Sequence, residues 1–200
     1  MATKTAKLPR VILIHGIQGE SPPEMYLTRL AQYFQDAGFT VCIPRYGTLD
    51  LFGISFSSWA NERISQSLGS FVEPGDILLG HSNGGAISYL IAQKKRVRGV
   101  ILINAALDSN RVPNAEFTHV YFNKGDWVTR ASTVLPFNAW GAMGALGYTG
   151  APRPDIVNVD CGNPPYDDLP RLSGHSTIFK GDNLAPWARY MAQMAKLEIV

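Results

Sequence analysis

Ile77-Leu78-Leu79-Gly80-His81-Ser82-Asn83-Gly84-Gly85-Ala86-Ile87 is the stretch whose reading decides the fold. Three apolar residues predict a buried strand, and Gly85-Ala86-Ile87-Ser88-Tyr89-Leu90-Ile91-Ala92 carries a helical pattern. Between them, Gly80-x-Ser82-x-Gly84 sets a serine at the apex of a strand–turn–helix unit, the context in which this pentapeptide lifts a hydroxyl out of a sheet as a nucleophile. The flanking glycines let strand and helix approach closely and tolerate a strained turn.

Upstream, Val11-Ile12-Leu13-Ile14 is continuously apolar, as a central parallel strand requires, and it runs into the glycine-punctuated loop His15-Gly16-Ile17-Gln18-Gly19. Ser21-Pro22-Pro23-Glu24 has the chemistry of a helix start. Leu27, Leu30, Ala31 and Phe34 then mark one apolar face, and Gly38 ends the helix. Phe39–Ile43 reads as a second strand that buries Cys42, and Ala60, Ile64 and Leu68 face one side of a second helix. Downstream, Val100–Ile103, His119–Phe122 and Ile156–Val159 are three further apolar strands, with His119 read as strand-edge structure. A last helix carries Trp187, Met191 and Met194 on its apolar face. About six short strands separated by helices predict an α/β fold, a mostly parallel sheet covered by helices on both faces.

Composition fits one domain spanning residues 1–200, with 46% hydrophobic and 17% charged residues. A formal net charge of +2 is too small to draw nucleic acid or an anionic membrane as partner. The one basic run, Lys94-Lys95-Arg96 with Arg98, falls at a helix C-terminus, where cations complement the dipole. No apolar run approaches the ~18 residues of a membrane span, and the N-terminus lacks a signal-peptide core. Cys42 and Cys161 have no metal-like spacing. A reduced, cytoplasmic setting without cofactor or metal is the expectation; oligomeric state is left open.

Loops at the carboxyl ends of parallel strands converge on one site. His15-Gly16-Ile17, Ser82, Asp126 and His175 all follow predicted strands. In these residues, over most of the chain from about Arg10, the sequence resembles the α/β-hydrolase superfamily. There is little room before Arg10 for that family's two leading antiparallel strands, so the resemblance implies a minimal form.

It also implies roles. Ser82, Asp126 and His175 stand in the family's order of nucleophile, acid and base. Backbone N–H groups of Ile17 and Asn83 take the place of the oxyanion donors. Asn123-Lys124-Gly125-Asp126-Trp127-Val128 is similar to the family's acid loop, with Asp108, after the fourth strand, as the alternative acid. His15 is read as a loop brace and His81 as packing.

Serine at the elbow favours cleavage of a small-molecule carboxylic ester through an acyl-enzyme. A thioesterase, acyltransferase or amidase could use the same groups, and a non-catalytic binding protein of this fold is the reading from another class. Residues 127–154 mix apolar residues with glycines, as either a lid-like flap or an ordinary helix on the sheet. Phe137 and Trp140 there are the candidates for a substrate pocket.

Overall fold

The computed structural model describes residues 9–16, 26–46, 57–134 and 140–199. The apolar runs become strands β1 (Arg10–Ile14), β2 (Thr40–Cys42), β3 (Ile77–His81), β4 (Val97–Ile103), β5 (Ala115–Phe122) and β6 (Ile156–Asp160). They form one six-stranded sheet in the order β2-β1-β3-β4-β5-β6, with every neighbouring pair parallel. Among the described residues the α-helices are α1 (Tyr26–Asp36), α2 (Ser57–Gly69), α3 (Asn83–Lys94), α4 (Trp127–Ser132), α5 (Met143–Leu146) and α6 (Leu184–Leu197).

Period-two alternation sorts the strand residues into two cores. Val11, Leu13, Ile77, Leu79, Ile101 and Ile103 pack with Leu30 and Phe34 of α1 and with Trp187 and Met191 of α6. Ile12, Ile14, Leu78, Val100 and Leu102 pack on the opposite face with Leu68 of α2 and Ile87 and Ile91 of α3. Because both faces are covered, the central strands read as unbroken apolar runs rather than as alternation.

Leu27, Leu30, Ala31 and Phe34 are all buried, as their spacing predicts, and Gly38 turns the chain after α1 at φ 100°. The helix-start motif at Ser21–Glu24 lies outside the described residues. In α2 the inward face is rotated from the expected one: Asn61, Ser65 and Leu68 are buried, while Ala60 and Ile64 are half-buried. Helix α6 buries Trp187 and Met191 as expected, with Met194 only half-buried.

Two expectations are corrected. Cys42 is half-buried rather than buried, because β2 is a three-residue strand at the sheet edge with neighbours on one side only. His119 is not edge structure: β5 starts at Ala115 and lies between β4 and β6, which leaves His119 1% exposed. The basic run behaves as a paired surface, with Lys94 on Glu62, Lys95 on the Gly69 carbonyl, and Arg96 and Arg98 on Glu116. No helix among the described residues is long and apolar enough to cross a membrane.

Candidate active site

The turn after β3 shows why this sequence needs glycine on both sides of Ser82. A Cβ on Gly80 would lie 2.4 Å from the Gly84 carbonyl oxygen, and one on Gly84 only 2.0 Å from that of Ile14. Strand β3, its turn and α3 are therefore drawn against β1 more tightly than any side chain permits. Ser82 itself takes φ 57°, a left-handed value that a non-glycine residue adopts only when its surroundings hold it there. Its N–H donates to the Ile103 carbonyl and its carbonyl accepts from Gly85 and Ala106, so the apex is tied to both α3 and the loop after β4.

The serine hydroxyl meets the loop that follows β6. His175 Nε2 lies 2.7 Å from Ser82 Oγ, and His175 Nδ1 lies 2.9 Å from Asp126 Oδ2. Residues 93 and 49 positions apart in sequence are thus joined in one hydrogen-bonded line. Asp126 is fully buried at the start of α4, where it also caps the helix by accepting from Thr129 N. Burial alone would push its carboxyl up. The hydrogen bond and charge of His175, with donors from Thr129 and Asn104, outweigh this and hold it below the usual carboxylate value. The alternative acid, Asp108, is exposed and pairs with Arg111 rather than with His175.

His81 does more than pack. Its ring meets Phe179 edge-on at 4.8 Å, and its Nε2–H donates to the His175 backbone carbonyl across 3.2 Å. Burial, with a smaller push from His175, takes its pKa down to about 3, so it is neutral at ordinary pH. His15 braces its loop as expected, with Nδ1 on the Gly16 carbonyl and its ring stacked on Tyr46 at 4.1 Å. That loop reaches the serine: a Cβ on Gly16 would sit 2.8 Å from Ser82 Cβ. Ile17 and Phe137 lie outside the described residues. Asn83 is 2% exposed at the head of α3, where helix geometry leaves its leading N–H without an intrahelical acceptor. Trp140 is half-buried and lines a cleft of about 270 Å³ with Asn61, Ala86, Tyr89 and Leu107.

Three asparagines escaped the sequence reading. Asn104, buried at φ 44°, donates to Asp126 Oδ2 and to the Gly144 carbonyl. Asn123 clasps Gly174, accepting from its N–H and donating to its carbonyl, one residue before His175. Asn61 pairs with Asn83. The first two sit directly after β4 and β5, so the strand-end rule that singled out Ser82 could have found them. Asn61, inside a helix, carries no such signal. Among the described residues no cluster of three or more His, Cys, Asp or Glu could hold a metal ion.

With that geometry in place, the relationship to known proteins is direct. The alpha/beta hydrolase family matches residues 11–200. The chain belongs to the alpha/beta hydrolase family. Solved structures cover nearly the whole chain at low identity. A protein of the alpha/beta hydrolase superfamily from Xanthomonas campestris is 17% identical with a TM-score of 0.61, over 94% of this chain and 98% of the other. The esterase domain of a Rhodothermus marinus protein is 16% identical with a TM-score of 0.57, over 98% and 89%. The monoacylglycerol lipase of Paleococcus ferrophilus is 13% identical with a TM-score of 0.59, over 96% of each chain. No curated protein matches this alpha/beta hydrolase in sequence. At such identities the structures share its fold.

Proposed function

We propose that this alpha/beta hydrolase is a serine carboxylic ester hydrolase working through an acyl-enzyme. The observation that carries the reading is the single imidazole of His175 between Ser82 Oγ at 2.7 Å and Asp126 Oδ2 at 2.9 Å. A serine hydroxyl is a weak nucleophile at neutral pH and needs a base within hydrogen-bond reach.

In the proposed mechanism Ser82 Oγ attacks the ester carbonyl carbon while its proton passes to His175 Nε2. Asp126 accepts from Nδ1–H, fixes the tautomer and stabilises the imidazolium that forms. Collapse of the tetrahedral intermediate breaks the bond to the alkoxy oxygen, and the departing alcohol takes the proton back from His175. Water then attacks the acyl-serine, giving its proton to the same nitrogen, and Ser82 recovers its proton as the acid leaves. The Asn83 N–H is one oxyanion donor, with the Ile17 N–H assigned as the second by resemblance to the family. The cleft beside Trp140 is the proposed pocket for the substrate chain. An esterase domain and a lipase among the similar structures support an ester as substrate.

Fluorophosphonate labelling and p-nitrophenyl esters of graded acyl length test this together. Labelling at Ser82 and hydrolysis that disappears in Ser82→Ala are expected. Folded protein that takes no label and behaves like Ser82→Ala favours a non-catalytic binding protein of the same fold.

A further inference from the structure

Asn83 is held from outside its own helix. Asn61 Nδ2 donates to Asn83 Oδ1 at 2.7 Å, and Asn83 Nδ2 returns a bond to Asn61 Oδ1 at 2.8 Å. Trp140 Nε1 donates to the same Asn83 Oδ1 at 2.7 Å. Both lone pairs of that oxygen are therefore used, one by α2 and one by the chain just before α5. Asn61 is 0% exposed, so its amide has no access to water in exchange for this partner.

The contact is placed where it matters for the turn. Only two rotatable bonds separate the Asn83 amide from its Cα, so a side chain gripped in three directions fixes the direction of the adjoining backbone N–H. The neighbouring Ser82 stands at φ 57°, and such a backbone keeps its geometry only if the surroundings determine it. Packing of α2 on α3 does not depend on the pair, since Leu68, Ile87 and Ile91 already join them through the core. Trp140, moreover, belongs to neither helix.

We propose that Asn61 and Trp140 are positioning residues that aim the Asn83 N–H at the developing oxyanion, and that Trp140 connects the occupant of its cleft to that donor. This rests on the serine-hydrolase reading. Neither residue touches the reacting atoms; both act through Asn83.

The test compares Asn61→Leu and Trp140→Phe with wild type on p-nitrophenyl butyrate and on its thionoester counterpart. Sulfur is larger than oxygen and a weaker acceptor, so a well-aimed donor set discriminates against the thionoester and a disturbed one discriminates less. For each variant we expect kcat on the ester to fall roughly 10-fold, well short of the 10²–10³-fold typical of deleting a donor. The ester-over-thionoester preference should shrink in parallel. In an Asn83→Leu background, adding Asn61→Leu should bring little further loss, because both act through one side chain.

Wild-type kcat in the variants, or equal losses on ester and thionoester, overturns the positioning role while ester hydrolysis and Ser82 labelling by wild type still stand. If wild type neither hydrolyses esters nor takes a fluorophosphonate at Ser82, the hydrolase reading falls and this inference with it. Should Asn61→Leu fail to fold, Trp140→Phe decides: it removes the N–H donor while leaving a smaller aromatic ring in the cleft wall, and the ester-over-thionoester ratio separates the lost donor from the lost volume.

Discussion

His81 and His175 face each other with ring centroids 5.0 Å apart, and the His81 Nε2–H holds the His175 backbone carbonyl at 3.2 Å. One histidine is thus used as a fixed, neutral donor to position another. The residue before the serine and the loop after β6 are locked together by this contact.

Acid should therefore unfold the protein through His81. In the unfolded chain His81 binds a proton below about 6.5, but in the folded protein only near 3. Its contribution to stability is complete above about 6.5 and is lost as pH falls from there toward 3, with a limiting slope of about 1.4 kcal/mol per pH unit. His119, also lowered by burial, adds to the same decline, while Asp126 acts only below its ordinary carboxylate value. Urea unfolding at pH 7, 5.5 and 4.5 checks this. His81→Phe should flatten the dependence, and an unchanged slope would remove His81 as its cause.

Asp126 and Asp108 separate cleanly by mutation. Asp126→Asn keeps the shape but cannot hold His175 in the required tautomer, so kcat should fall by roughly 10⁴-fold, as for comparable triads. Asp108→Asn, at an exposed ion pair with Arg111, should leave turnover close to wild type. Steady-state rates on one ester decide, and the reverse outcome would move the acid to Asp108.

Asn104 combines a hydrogen-bonding role with a left-handed backbone, and two substitutions divide them. Asn104→Gly loses the donors to Asp126 and Gly144 but keeps φ 44° accessible. Asn104→Ala loses the donors and adds the left-handed penalty, about 1–2 kcal/mol. Alanine should therefore be the less stable variant by about that amount, with both reduced in kcat. Equal stabilities in urea would mean the backbone there relaxes without cost.

Trp140→Ala should change acyl-chain preference, because the indole forms one wall of the cleft of about 270 Å³ beside α3. Rates across p-nitrophenyl esters from acetate to decanoate read this out. An unchanged profile would place the acyl chain elsewhere.

Local pattern was sufficient to determine much of this protein. Continuous apolar runs at Val11–Ile14, Ile77–Leu79 and Val100–Ile103 specify strands buried on both faces, because only covered parallel strands need apolar residues on each side. The glycines around Ser82 specify a close strand–helix turn, and Ser82, Asp126 and His175 follow β3, β5 and β6, at the strand ends where loops of a parallel sheet converge. What no pattern could carry was the order of strands across the sheet. That order put β2 at an edge, half-exposing Cys42, and put β5 inside, burying His119. Nor could periodicity reveal Asn61 on Asn83, Asn104 on Asp126 or Asn123 on Gly174. These are polar contacts across 22, 22 and 51 residues, made by side chains that the sequence alone would leave in water. The serine at the elbow was legible because its turn is local. The groups that hold its partners in place were decided only when the sheet brought distant loops to one end.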